Sequence, residues 1–210
     1  TTYTGTLLGE PVSVTSTGIG CPSTAIAVEE LIKLGAHTFI RVGTAGFVQD
    51  DGRTGDLAIL TGAIRDEGTT PQYLPLEYPA IADLDVVVAL RAAAERSGLP
   101  YQLGVAHSKD SFYAEVEPER MPLAGHLQAR WQAWKAGGAI CSEMESSALF
   151  ILAGMYRKRA GGVMLMIGDP TEAVETPEEE ARLAALLDVN RSIRVAVEGM
   201  KGLIEQDRKG

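Results

Sequence analysis

Val12-Ser13-Val14-Thr15-Ser16-Thr17-Gly18-Ile19-Gly20-Cys21-Pro22-Ser23 is the stretch that decides the fold. Its first four residues read as a strand and Gly18-Ile19-Gly20 as a turn. Ser23 reads as the cap of a helix through Ala27, Leu31 and Leu34 that stops at Gly35. The same alternation continues outward. Apolar strands are expected at 38–42 and 57–64, a helix over 83–97 through Val86, Leu90 and Ala94, and a strand at 102–107. A helix around 127–134, a short strand at 139–141, a helix over 144–157 and an apolar strand at 162–167 follow. A final helix starts near Pro177, a favoured first-turn residue, with apolar positions at Leu183, Leu186, Leu187, Ile193, Val197 and Ile204. Strands alternating with helices imply an α/β domain around a mostly parallel or mixed sheet. Between them, 65–79 reads as a long surface loop of the kind that often carries function. The acidic stretch 171–180 reads as a solvated loop and helix start, or as a flap over a site.

The 210 residues, 45% of them hydrophobic and 22% charged, suit one domain spanning 1–210 with a full core. Gly or charge interrupts every apolar stretch well before about 18 residues, so no membrane span or signal peptide is read and a cytoplasmic location is expected. A net charge of −9 without clustered Lys and Arg argues against a nucleic-acid partner, while a small anion beside one or two arginines stays open. Cys21 and Cys141 suggest neither a zinc site nor a disulfide framework, and His37, His107 and His126 form no ligand spacing. The chain opens at Thr1 directly into the strand-like residues 2–7, and residues before Thr1 are expected to be missing.

In open α/β sheets ligands bind at the carboxyl ends of strands, so the polar residues after each apolar run matter most. Arg41 stands between Phe39-Ile40 and Val42, where a guanidinium needs an anion: a bound phosphate or an internal carboxylate. Thr44, with backbone amides freed by Gly43 and Gly46, adds donors to the same oxyanion. Of Glu143 and Glu145, one is expected to face the crevice and grip vicinal sugar hydroxyls while the other caps or pairs. Phe112 is core or a stacking platform. Asp169, between Gly168 and Pro170, is a turn residue or a general acid for a departing base.

At these residues the sequence resembles the nucleoside phosphorylase family, most closely its uridine phosphorylases. The likeness is carried by residues 16–31, by Phe39-Ile40-Arg41-Val42-Gly43-Thr44, by Asp110-Ser111-Phe112-Tyr113, by Ser142-Glu143-Met144-Glu145-Ser146 and by the loop 76–80. The resemblance implies a three-layer α/β/α sandwich around a central mixed β-sheet. It implies phosphate held by Arg41, Gly43 and Thr44, ribose by Thr44, Met144 and Glu145, and the base by Gly46, Phe112, Glu115, Arg120 and Glu143. Catalytic roles fall on Arg41, Glu145 and Asp169. It further implies inorganic phosphate as co-substrate with no organic cofactor, a monovalent cation near Ile19 and Ser23 in some members, and a homo-oligomer, commonly a hexamer of dimers with neighbouring subunits completing each site.

The sequence departs from the family pattern in three places. The family's Gly-Asp-Pro-x-Arg phosphate loop, and an arginine lent to the adjoining subunit, fall upstream of Thr1. Where uridine phosphorylases place a Gln to read uracil, this chain has Glu115, whose carboxylate lacks N–H donors and would oppose a uracil carbonyl. Asp169 lies near where purine-specific relatives carry a catalytic Asp. The leading expectation is therefore phosphorolysis of uridine. A purine nucleoside phosphorylase using Asp169 as proton donor and Glu115 as acceptor, a hydrolytic nucleosidase, and a catalytically weak nucleoside-binding protein stand as alternatives.

Overall fold

The computed structural model describes residues 1–168 and 176–209. Asp169 and residues 171–175 of the acidic stretch lie outside the described residues. The chain begins as a hairpin, β1 (Thr2–Leu7) running antiparallel to β2 (Glu10–Thr15) in a two-stranded sheet of its own. Leu7 pairs with Glu10, leaving Leu8 and Gly9 as a two-residue turn with φ of 51° and 86°. Positive φ at both positions matches the strand twist, and Gly9 takes it without the steric cost that Leu8 bears.

Helix α1 (Cys21–Lys33) starts after Gly20, whose φ is 92°. Ser23 therefore sits inside the first turn rather than capping it. Its Oγ donates to the Ile19 carbonyl at 2.9 Å and the Gly20 carbonyl at 3.1 Å. Pro22 presets the first-turn φ, which moves the helix start ahead of the serine.

The central sheet holds β3 (Thr38–Phe47), β4 (Leu57–Asp66), β5 (Ala80–Ile81), β6 (Tyr101–Lys109), β7 (Cys141–Glu143) and β8 (Arg159–Ile167) in the order β5-β4-β6-β7-β3-β8. Pairs β3–β8, β4–β6 and β6–β7 are parallel, whereas β3–β7, β4–β5 and β4–β8 are antiparallel. The sheet is mixed, and because β4 meets both β6 and β8 the row of strands curls back on itself. Leu57, Ala58, Ile59 and Leu60 are all buried, as is the whole run 160–166. Unbroken apolar runs of this kind require cover on both faces of the sheet.

That cover comes from α2 (Leu84–Ser97), α5 (Ser146–Met155) and α7 (Asn190–Asp207). Helix α2 lies over Gly161, where an added Cβ would collide with Val86. At Gly199 of α7 a Cβ would meet Leu90 Cδ2 at 2.9 Å, so glycine sets how closely α7 approaches α2. Asp83 caps α2 by accepting from the Val86 N–H at 3.2 Å, and Gly98 ends it in the left-handed region. Helix α5 is buried from Ser146 to Ala153, which accounts for its lack of a polar face. Two further helices, α3 (Phe112–Val116) and α4 (Ala124–Ala136), follow β6.

The expected single C-terminal helix is two, α6 (Pro177–Leu186) and α7. Asp188 Oδ1 accepts from the Asn190 backbone N–H at 3.0 Å and from its Nδ2 at 2.6 Å, local bonds that compete with helix continuation. Helix α7 buries Ser192, Val195, Ala196, Gly199, Leu203 and Ile204 and leaves Ile193 and Val197 exposed, a face rotated from the expected one. The loop 65–79 is no loose excursion. Arg65 donates to the carbonyls of Leu74 at 2.7 Å and of Pro75 and Tyr78 at 2.5 Å, and to Thr70 Oγ1 at 3.0 Å, clamping it.

Candidate functional site

Two polar clusters form where β6 and β7 end. Their separation follows from strand alternation: Ser142 and Glu143 point to opposite faces of β7, in register with His107 and Ser108 of β6.

In the first cluster Glu143 is wholly buried. Its Oε2 accepts from the backbone N–H groups of Glu145 at 2.8 Å and Ser146 at 2.9 Å, at the start of α5, and Oε1 accepts from Ser108 Oγ. A carboxylate suits that helix N-terminus. Arg41 Nη2 pairs with Glu143 Oε2 at 3.1 Å and with Glu145 Oε2. Glu145 Oε1 accepts from the Gly20 N–H at 2.6 Å, joining α1 to the cluster. The guanidinium folds back over Gly43, where an added Cβ would meet it and push it aside. Arg41 Nη1 reaches Met164 Sδ at 2.6 Å. Burial works against the charged guanidinium, but Glu143 and Glu145 outweigh it and hold its pKa above the ordinary arginine value. Its side chain keeps 15% exposure. Strand β3 meets β7 only at Gly46 and Phe47, so among the described residues its stretch 38–45 has no strand partner opposite β8.

The second cluster centres on His107. Its Nε2 lies 2.9 Å from Asp66 Oδ2, and its Nδ1 lies 3.1 Å from Glu115 Oε2 and from Ser142 Oγ. Burial opposes the imidazolium, but hydrogen bonds to Asp66 and Glu115 prevail and raise the His107 pKa. Desolvation likewise opposes the ionised forms of Glu115 and Asp66. It is outweighed in both by the His107 hydrogen bond, with Lys109 assisting at Glu115 and Arg130 at Asp66, so both pKa values fall. Lys109 Nζ donates to Glu115 Oε1 at 2.9 Å and Ser142 Oγ at 2.8 Å, and Ser142 Oγ donates to Glu115 Oε2 at 2.5 Å. Trp131 and Trp134 of α4 close over His107, with ring centroids 6.2 and 5.9 Å away. Arg130, paired with Asp66, stands 5.3 Å from the Trp134 ring.

The residues singled out from sequence divide between these clusters and the surface. Arg41, Gly43 and Glu145 meet in the first. Glu143, expected at the base, is a buried helix-capping carboxylate engaged by Arg41 and Ser108. Thr44 is exposed three residues beyond Arg41, and Gly46 lies opposite Ser142 in the β3–β7 pair. Met144 is half-buried, and its carbonyl accepts from Cys21 Sγ at 3.3 Å. Burial pushes the Cys21 thiol up to about 12 and raises that of Cys141, so both sulfurs stay neutral packing groups. Phe112 is 42% exposed beside the second cluster, with Lys109 Nζ 5.9 Å from its centroid. Arg120, also expected at the base, is instead a surface residue, 66% exposed and paired with Glu117. The reason is local: the 3₁₀ turn Pro118–Arg120 directs it along its own loop.

Sequence reasoning missed His107, Lys109, Asp66 and Ser142 as partners. The available signal was their alternation: His107 and Lys109 are two apart at the end of one strand and so share a face. A concavity of about 400 Å³, lined by Arg65, Leu76, Ile81 and Val105 among others, includes no member of either cluster.

Comparison with known proteins adds a separate line. The profile of the Phosphorylase superfamily matches residues 1–198. The chain is 52% identical to a uridine phosphorylase of Treponema pallidum over 206 residues, 98% of this chain and 78% of that protein. It is 36% identical to the uridine phosphorylase of Escherichia coli over 207 residues, 97% of this chain and 80% of that one. A guanosine phosphorylase of Halorubrum lacusprofundi is 34% identical over 198 residues, 93% of this chain and 78% of its own length.

Proposed function

The chain belongs to the phosphorylase superfamily, and from that premise we propose that it cleaves a nucleoside with inorganic phosphate, uridine and phosphate giving uracil and ribose 1-phosphate. The observation that carries this reading is the pairing of Arg41 with Glu145. One buried guanidinium shared by two carboxylates can exchange one of them for another oxyanion. Glu143 is fixed by two backbone N–H groups and a serine hydroxyl, so Glu145 is the carboxylate that gives way.

Phosphate then occupies Arg41 with the backbone at Gly43 and Thr44. Glu145, released from the guanidinium, accepts from the ribose hydroxyls, with Met144 against the sugar. A phosphate oxygen attacks C1′ as the bond from C1′ to the base nitrogen breaks, and the electron pair leaves with the base. The transition state resembles an oxocarbenium ion, so an anionic nucleophile held in place on one face lowers the barrier. Phe112 packs on the base, and Glu115 meets its polar edge. In an assembly of dimers, up to a hexamer, a neighbouring subunit adds cationic groups to the phosphate. The exposed Tyr3, Val14, Ile26 and Leu34 support such burial between subunits. The Ile19 carbonyl and Ser23 hydroxyl, 2.9 Å apart, are the oxygens for a monovalent cation. A cytoplasmic site of action fits substrates of this kind, and among the described residues no helix is long and apolar enough to cross a membrane.

A second reading, cleavage of 6-oxopurine nucleosides, is favoured by the 34% identity to a protein named guanosine phosphorylase. Asp169, the proton donor in that reading, lies outside the described residues. Base release from uridine, thymidine, inosine, guanosine and adenosine, each with and without phosphate, tests both. Phosphate-dependent release from uridine is expected. Release without phosphate would point to hydrolysis, and no release from any nucleoside would leave a binding protein.

A further inference from the structure

We propose that His107 is a protonation-dependent latch for the helical strap of residues 112–136: as an imidazolium it holds α3 against the sheet, and as a neutral imidazole it lets α3 go. The strap consists of α3, the 3₁₀ turn Pro118–Arg120 and α4, and none of the three buries a residue. They pack on one another. Apolar burial therefore does little to seat the strap, and its attachment to the sheet is polar. At the far end Gln49 Nε2 donates to the Lys135 carbonyl at 2.9 Å, and Lys135 pairs with Asp50. At the near end the attachment is the cluster around His107.

Charged groups surround His107 from several elements: Asp66 of β4, Lys109 of its own strand, Glu115 of α3 and Arg130 of α4. Ser142 of β7 and the rings of Trp131 and Trp134 complete its surroundings. The two carboxylates divide their oxygens in the same way. Glu115 gives Oε1 to Lys109 and Oε2 to His107 Nδ1, and Asp66 gives Oδ1 to Arg130 and Oδ2 to His107 Nε2. Only an imidazolium carries an N–H on both nitrogens, so only the charged ring donates to both carboxylates. Burial opposes that charge, but the two bonds outweigh it and raise the pKa. Loss of the proton falls on Glu115. A bare Nδ1 can accept from Ser142 Oγ, 3.1 Å away, whereas among the described residues Nε2 bonds only to Asp66. The same hydroxyl donates to Glu115 Oε2 at 2.5 Å, so turning it to Nδ1 strips that oxygen of both its donors. The His107 side chain is 6% exposed, which keeps bulk water from replacing them while α3 is seated. A buried carboxylate oxygen without a donor is costly, and α3, held then by Lys109 alone, regains one by swinging Glu115 outward to water.

Tryptophan emission and amide hydrogen exchange of the whole chain, each followed from about pH 5 to about pH 9, test the inference. Trp131 and Trp134 are the two tryptophans of the sequence and both lie against His107, where an imidazolium quenches indole emission. Emission should rise in one step with its midpoint above the ordinary 6.5. Across that step the protection of the amides of 114–117 should fall about 10- to 100-fold, the range of a lost hydrogen bond to a charged group, while that of β4 and β6 holds. His126→Gln, at an exposed position on α4, should leave the step in place. His107→Gln should remove it and leave α3 weakly protected at every pH. Glu115→Gln should keep α3 protected on the alkaline side, because its amide donates to a neutral Nδ1, and it decides the matter if His107→Gln does not fold. An emission step with unchanged protection of α3 overturns the inference. So does the absence of a step in the wild-type protein, its survival in His107→Gln, or its loss in His126→Gln.

Discussion

The clusters on the two faces of β7 contain the same kinds of group and differ in charge balance. In the first, one guanidinium, Arg41, serves two carboxylates, Glu143 and Glu145. In the second, Lys109 and Arg130 face Asp66 and Glu115, and His107 adds a third cation when it is protonated. The first therefore has a carboxylate to spare and the second a cation. A surplus acceptor suits sugar hydroxyls and a surplus donor suits a carbonyl. Both clusters are largely buried, so burial does not distinguish ligand-binding groups from structural ones here; the bonding capacity left over does. Glu143 has spent its capacity on α5, Arg41 and Ser108, whereas Glu145 is held by Arg41 and one N–H.

Removing the shared cation breaks the first cluster most severely. Arg41→Ala should lower kcat/KM for phosphate about a hundredfold to a thousandfold, as loss of a preorganised charge at a reacting oxyanion does. It also leaves two carboxylates unpaired, which costs about 3–5 kcal/mol of stability. Full phosphate-dependent activity in this variant would remove Arg41 from the site. The two glutamates should then part company. Glu143→Ala should lower the unfolding free energy by about 3–5 kcal/mol in denaturant titration, because buried backbone donors and Arg41 lose their partner. Glu145→Gln should unfold close to wild type yet lose turnover, with the loss in kcat rather than in the KM for phosphate. Equal stability losses in the two variants would erase the distinction between capping and exchangeable carboxylate.

How far the sequence foretells this arrangement depends on the range of the interactions. The apolar strands expected at 57–64, 102–107 and 162–167 and the helix over 83–97 are legible because residues a few positions apart decide them. Arg41 was legible as a cation requiring an anion, since a guanidinium in an apolar strand has few alternatives. Its partner was not, because the choice between Glu143 and Glu145 depends on which one the start of α5 consumes. Glu115 read alone is an acceptor facing a carbonyl. Lys109, which supplies the donor, is only six residues away, but the intervening turn and α3 determine that they meet. His107 looked isolated because Asp66, Ser142 and Trp134 come from three other elements. The single C-terminal helix failed at Asp188, where a short local hydrogen bond outcompetes a sound apolar period.

The second cluster should reveal itself through pH. The His107 pKa is raised above its ordinary 6.5, so its contribution is fully present below that value and is lost as pH rises through the folded-state value. Glu115 and Asp66 are lowered from 4.5 and 3.8, so theirs is present above those values and lost as pH falls through the folded-state ones. Stability from this cluster should therefore be greatest between the two limits. His107→Gln should cost about 1–3 kcal/mol there and flatten the decline on the alkaline side, read from melting temperatures across pH. An unchanged profile would mean that His107 is neutral in the folded protein.

The smallest effect isolates capping from charge balance. Asp83 and Glu143 both accept from backbone N–H groups at a helix start, but Asp83 is part-buried, makes one such bond at 3.2 Å and interacts with Arg159 only through longer-range charge. Asp83→Ala should therefore cost only about 1 kcal/mol and leave phosphate and nucleoside binding unchanged. The remainder of the Glu143→Ala loss, after a cap of this size is subtracted, measures what Arg41 and Ser108 add to a carboxylate that also starts a helix. If the two variants lost equal stability, the Arg41 pairing would contribute nothing net to Glu143. Arg41 would then be bound to Glu145 alone, and an incoming phosphate would have to displace its only strong partner.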